Sequence, residues 1–501
     1  MNLDRRRKDD LPQPKMQMSS PGRFRRVPAM TSRFSSSAFG RRLLLAAFAS
    51  LAGALAGGAA FAQYSPVGLS SVRSQRFENE DLLFFVPEEG DLFAWAVAAG
   101  DFNGDGADDL ATGIPNDDGF AGSGCTDCGI VVVRYGIPGA GLETFATSTV
   151  LFQGFAGSPS DEGPSELFGR ALAVGDFNGD SYDDLAVGVP GDRHPTSGTV
   201  IGAVQVHYGS EGGLLVQNAE WIYRYLAGWE FPPTTCPVGA DEFGAALAAG
   251  NFDGDAFDDL AIGAPAACAG HVGEPQDSGA VYVAHGGSAG LLPISGYFLS
   301  ENSPGIFGDA ANGERFGEAL AAGDFDGGGG SRYDDLAIGV PGEGANGSVY
   351  IVMGSEFGLI YANSVFWAPG ALGIVPEPGA RLGAALAAGD FDGDGHDDLV
   401  IGDPEQDIGP ADDIPDAGVI VFAFGAPGGF DLSRNLRYGE PAGADVADRF
   451  GWSLAVGDFN RDGRDDVAVG APFEDSDGSD RGSVSVFMGA AGSAVGLLSQ
   501  E

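Results

Sequence analysis

The residues of this chain best placed to do chemistry are acids, and they recur in the same loop. The first copy reads GDFNGDGADDLATGIP over residues 100–115, and the others begin at Gly175, Gly250, Gly323, Gly389 and Gly457. Counting from the residue after that glycine, side-chain oxygens stand at positions one, three, five and nine. They are Asp101, Asn103, Asp105 and Asp109 in the first loop, and Asp176, Asn178, Asp180 and Asp184 in the second. The third has Asn251, Asp253, Asp255 and Asp259; the fifth Asp390, Asp392, Asp394 and Asp398; the sixth Asp458, Asn460, Asp462 and Asp466. Calcium takes about six to eight oxygens and mixes carboxylates with backbone carbonyls. Position seven is Ala107, Tyr182, Phe257, His396 or Arg464, which share no side-chain chemistry, so only its carbonyl is a common ligand. A plain Asp- and Gly-rich turn accounts for a single loop as well as calcium does. Five aligned copies favour calcium.

Ligand charge and backbone freedom rank the sites. The fifth loop has four carboxylates and Gly395 at position six, and is expected to bind most tightly. Ser181 and Ala256 fill position six in the second and third loops, at a cost if that position needs positive φ. The sixth loop replaces the fourth-position glycine with Arg461. The fourth keeps Asp324, Asp326 and Asp335 but is longer and lacks the position-five acid, so it is a weak candidate. About five tight calcium ions are expected. Acids at position eight, such as Asp108 and Asp183, are expected to support the turn or the ligands from behind.

The loops follow one another at 75, 75, 73, 66 and 68 residues, a period that demands a repeat architecture. Each unit opens on a small-residue apolar run such as FGAALAAGNF, then has the acidic loop, DLAIGAP, an alternating run such as AVYVAHG, and a weaker fourth run. These short runs, rich in Val, Ile and aromatics and bounded by Gly, Pro and Asp, read as strands. Four strands per unit around an axis make a β-propeller. The sixth unit stops after its third run, and residues 74–86 (SQRFENEDLLFFV) offer a strand with no unit of its own. Pairing the two closes the ring and covers an edge. The expected fold is all-β, a six-bladed propeller over residues 63–501, with seven blades as the alternative.

The phenylalanine–glycine openings, the VGAP-like endings and the DxNxDGxxD loop between them resemble FG-GAP repeats, which build the propeller of integrin alpha subunits. The resemblance covers residues 73–489 and departs in blade number, the integrin propeller having seven. It implies calcium loops on one face and ligand-binding connections on the other. Those connections are the long ones here: 116–129, 191–202, 266–279, 405–417 and 227–241.

Residues 1–62 differ from the rest. They carry 11 of the chain's 26 Lys and Arg, then an uncharged run over 43–62 ending in Ala60-Phe61-Ala62, the pattern of a cleaved export signal. Beyond it stand 15 arginines, no lysine and 68 acids, a net charge near −53 that repels nucleic acid and anionic membranes. Export favours disulfides, with Cys125–Cys128 and Cys236–Cys268 as the expected pairs. The expected locale is extracellular, cell-surface or periplasmic, without membrane insertion of the mature chain.

Catalytic motifs fail. GGSAG at 286–290 matches a nucleophile elbow, yet the same place in other units reads GSEGG or GSEFG, a turn. The five histidines show no shared spacing, and His207 and His285 read as packing or surface residues at strand ends. The chain is therefore expected to be a binding or adhesion module for an extracellular protein or glycan, not an enzyme. A lectin using Trp221, Trp229 or Trp367 is the alternative, although each tryptophan is rather expected to pack on an outer strand, and a propeller-scaffold hydrolase is the less supported one.

Overall fold

The computed structural model describes residues 91–490, apart from 120–124, 139–140, 144–147, 154–162, 194–197, 218, 224–240, 269–274, 328–332, 409–413, 441–445 and 475–481. The expected export signal and residues 74–86 thus lie outside the described residues. Six antiparallel sheets form the blades of a β-propeller, five with four strands and the last with three described strands. In blade three the strands are Ala246–Gly250, Asp259–Ala264, Ala280–His285 and Leu292–Leu299, in that order outward.

Register is fixed at the acidic loop. Gly250 stands opposite Asp259, and the same glycine–aspartate pair closes the other five hairpins: Gly100–Asp109, Gly175–Asp184, Gly323–Asp335, Gly389–Asp398 and Gly457–Asp466. The long fourth loop keeps this register, so its extra residues bulge from the hairpin without shifting it.

Position in the blade explains composition. Second strands such as DLAIGA and DLAVGV are buried along their whole length and read as unbroken apolar runs after the aspartate. Inner strands such as ALAAG are small because six of them converge on a channel, whose lining leaves a cavity of about 280 Å³. The core lies between blades. Phe177, at loop position two of blade two, packs with Leu260, Ile262 and Tyr282 of blade three. Phe102, Phe252, Phe325 and Phe391 do the same at the other junctions between successive blades. Each is at most 1% exposed, a burial that stabilises by about 1.5–3 kcal/mol per ring.

The sixth junction differs. Phe93, Ile114, Ile130 and Val132 of blade one form one apolar cluster, and Ala468, Val486 and Met488 of blade six another. Phe459, the sixth-loop counterpart of those phenylalanines, is only half-buried. This seam, edged by the third strand Ser483–Phe487, is where residues 74–86 are expected.

Candidate metal centres

Each loop folds onto its own carboxylates. In loop one, Asp101 accepts from the N–H groups of Asp105 at 3.0 Å and Gly106 at 2.8 Å. Asn103 accepts from Asp105 N–H at 2.9 Å, and Asp105 from Ala107 N–H at 2.9 Å. The set recurs in loop two through Asp176, Asn178 and Asp180, and in loop five through Asp390, Asp392 and Asp394. Loop six repeats most of it through Asp458 and Asp462. A carboxylate oxygen has two lone pairs, so each can hold its N–H and still face a cation. The donor set fits calcium: side-chain oxygens from positions one, three, five and nine, with a carbonyl from position seven.

The ninth-position acids are the most buried. Asp398 accepts from Phe391 N–H at 3.0 Å through one oxygen and from Gly425 N–H at 2.8 Å through the other. Asp109, Asp184, Asp259, Asp335 and Asp466 make the same two bonds, tying loop to third strand. Burial pushes Asp109, Asp184 and Asp335 up to about 7, Asp398 to about 8 and Asp466 to about 6, against the pull of those N–H donors. A bound cation would restore the charged form. Changing Asp398 to Ala leaves two buried N–H groups without acceptors and should cost about 2–6 kcal/mol even without metal. Changing Asp390, half-buried at position one with its N–H partners open to water, should abolish metal uptake at that loop with less effect on the metal-free melt. Denaturant unfolding of both variants in chelator checks the difference.

Position eight does something its sequence context did not disclose. Asp183 of blade two accepts from the N–H of Asp101 in blade one at 2.7 Å, and its own N–H donates to the Asp101 carbonyl at 3.3 Å. Asp258, Asp334, Asp397 and Asp465 clasp Asp176, Asn251, Asp324 and Asp390 in the same way. These acids join blade to blade. Position seven also reaches back: a Cβ added at the fourth-position Gly104, Gly179, Gly254, Gly327 or Gly393 would collide with Tyr182, Phe257, Tyr333, His396 or Arg464 of the next blade. Arg461 is tolerated at the sixth loop because that junction is the seam, and it takes the required φ of 62°.

The position-six expectation divides. Ser181 adopts φ 71°, as Gly106, Gly395 and Gly463 do at 82°, 89° and 83°. Ala256 is not among the residues of positive φ. In its loop the Asn251 amide instead donates to the Asp255 carbonyl at 2.9 Å.

Loops three, four and five each bring candidate ligand atoms within 4.8 Å of one another. Asp324, Asp326 and Asp335 of the fourth loop bring ligand oxygens within 4.8 Å of one another, as Asp390, Asp392 and Asp398 do in the fifth. Arg434, held at the end of the short 3-10 turn Leu432–Arg434, hydrogen-bonds Asp392 and lies 3.9 Å from Asp394. A fixed guanidinium thus competes for two of the four carboxylates in the loop ranked tightest. Changing Arg434 to Ala should raise calcium affinity there about tenfold or more, the worth of one charge-assisted bond, as read by calcium titration. His285 packs its ring against Tyr297 at a strand end, and its Nδ1 also lies 3.3 Å from Asp253 and 3.3 Å from Asp259. His207 is buried packing, as expected, with Nδ1 2.9 Å from the Leu215 carbonyl and its pKa lowered by burial to about 4.

Because inner strands run from the FG end to the loop, the opposite end of the channel opens on the other face. A cavity of about 270 Å³ there is lined by Trp95, Arg170, Glu318, Arg381 and Trp452. Arg170 stacks over Trp95 at 4.1 Å, and Arg381 bonds Glu318 at 2.6 Å. Two of the tryptophans singled out from sequence pack as expected on outer strands. Trp367 is 2% exposed against Phe430, Trp221 stacks on Tyr223, and Trp229 lies outside the described residues. Cys125 and Cys128 are joined, Cys268 is disulfide-bonded, and Cys236 lies outside the described residues. Among the described residues no helix is long and apolar enough to cross a membrane.

Comparison with known protein families finds the same repeated unit in the sequence. The model described as FG-GAP repeat matches residues 93–124, 168–207, 243–284, 382–420 and 450–487. The unmatched unit is the fourth, whose loop is long. Human phosphatidylinositol-glycan-specific phospholipase D is 31% identical over 205 residues, 39% of this chain and 22% of that protein. Integrin alpha-PS2 of Drosophila melanogaster is 30% identical over 289 residues, 55% of this chain and 18% of its own. Integrin alpha-5 of Xenopus laevis is 29% identical over 258 residues, 49% and 20% respectively. The chain thus spans about a fifth of the length of these curated relatives. The solved structure of rhamnogalacturonan lyase YesW aligns over 79% of this chain and 56% of its own, at 15% identity and a TM-score of 0.37.

Proposed function

Because the chain is an FG-GAP repeat protein resembling the integrin alpha-subunit β-propeller, we propose that it is an exported, calcium-stabilised module that binds an extracellular protein or glycan. The observation that carries the calcium reading is repetition: three loops fold their carboxylates with the same internal bonds and the sixth with most of them, above buried ninth-position acids whose charged form a cation would favour. Asp101, Asn103, Asp105 and Asp109 would hold the first ion with the carbonyl of Ala107, and the second, fifth and sixth loops correspond. The metal would stiffen hairpins that the position-eight clasps already join.

Rigid blades leave recognition to the opposite face. Among the described residues, the channel mouth gathers two indoles and two guanidiniums beside Glu318 there and favours a glycan or an acidic side chain. Binding rather than catalysis is the reading, because Ser288 of the elbow-like GGSAG lies in the turn between third and outer strands of blade three. The phospholipase relative shares only part of this chain, and its activity is not carried over. A glycan array and a cell-surface pull-down, each with and without calcium, test the proposal. Ligand capture that calcium supports and Arg170→Ala weakens is expected; equal capture by the variant would remove the mouth from the site.

A further inference from the structure

The third loop departs from its siblings in three ways at once. Position one is Asn251, whose amide turns back onto the Asp255 carbonyl, so the bonds that Asp101 makes with residues 105 and 106 have no counterpart. Position six is Ala256, outside the positive-φ set. And an imidazole enters: His285 ends the third strand, and its Nδ1 with one oxygen each of Asp253 and Asp259 forms a group within 4.8 Å. The matching place, before the glycine that bonds the ninth-position acid, is Tyr135, Tyr208, Met353, Phe424 or Met488 in the other blades.

Calcium takes oxygen, whereas imidazole with carboxylates suits zinc and its neighbours. The spacing agrees. Two ligand atoms 3.3 Å apart, as Nδ1 is from each carboxylate oxygen, subtend about 104° at an ion about 2.1 Å from both, close to tetrahedral. We propose that the third loop holds a zinc ion through Asp253, Asp259 and His285 in place of calcium. The fourth position of a tetrahedral ion would fall to water, to the Asn251 side chain or to a ligand. The ring therefore carries two metal chemistries, hard sites in the calcium loops and one borderline site in blade three.

The test uses the whole chain, stripped of metal, titrated with zinc chloride in a hundredfold molar excess of calcium. One zinc per chain should bind, and Co²⁺ in its place should give the visible absorption of a tetrahedral site. His285→Met, the residue blades four and six carry there, and Asp253→Asn should each lower zinc affinity about 100-fold or more, since even outer partners carry about 10–100-fold. Thermal melts of the metal-free variants confirm that they fold. Zinc displaced one for one by calcium, or zinc uptake unchanged in both variants, overturns the assignment. Calcium binding to the other loops is read separately by calcium titration of the same samples. Its failure would remove the calcium proposal and leave the zinc site standing.

Discussion

Stripped of divalent cations, the protein should lose stability as pH rises from about 4 to about 8, and calcium should reverse that trend. The sign follows from the ninth-position acids. Their folded pKa values, about 6 to about 8, lie above the 3.8 of a free aspartate. An acid whose folded pKa is raised binds its proton more tightly in the native state, so its contribution is complete below the unfolded value. It is lost as pH climbs through the folded one. The cause is burial, and a cation at the loop supplies the missing counter-charge. At calcium a hundred times its dissociation constant, each filled site adds about 2.7 kcal/mol. Several sites should therefore move the melt at pH 8 by about 10–20 °C and leave the melt at pH 4 almost unchanged. Scanning calorimetry in chelator and in calcium at both values decides it. A metal-free protein that is most stable at pH 8 would refute the electrostatic account.

Removal of residues 74–86 should have the larger structural consequence. The third strand of blade six is its outermost described strand, and the apolar clusters of blades one and six do not merge. Each of the other five junctions carries a continuous core. If residues 74–86 supply the missing strand, their loss leaves a bare sheet edge and an unclosed ring, and the chain should aggregate or melt far below the intact protein. A truncated chain that melts like the intact one would show that the ring closes by other means.

How much of this was legible in the sequence depends on distance along the chain. The hairpin register was, because glycine and ninth-position aspartate lie in one loop and repeat. The six blades were, because period and strand composition are local. The position-eight acids were seen but not understood: the N–H that Asp183 holds lies 82 residues away. Arg434 lies 42 residues from Asp392, in a turn whose sequence resembles none in the other units. Ranking the loops by their own carboxylates therefore left out a cation the fold brings in. His285 could have been found. Comparing residues before the third-strand glycine across the units exposes one imidazole among tyrosines, methionines and a phenylalanine.

The clasps between successive loops make the metal sites a one-dimensional lattice. The residue that begins each of the first five loops is gripped by the acid of its successor, so filling one loop stiffens an anchor of the next. Nearest-neighbour coupling of this kind sharpens a binding isotherm beyond independent sites. Direction matters too. The seam breaks the lattice into a row with two ends, and end units have one neighbour instead of two. Loops one and six should therefore release their ions first as calcium falls, and unzipping should travel inward from them. A ring of clasped loops would then report falling calcium as a progressive loosening at one place, the seam, while the middle blades stay shut.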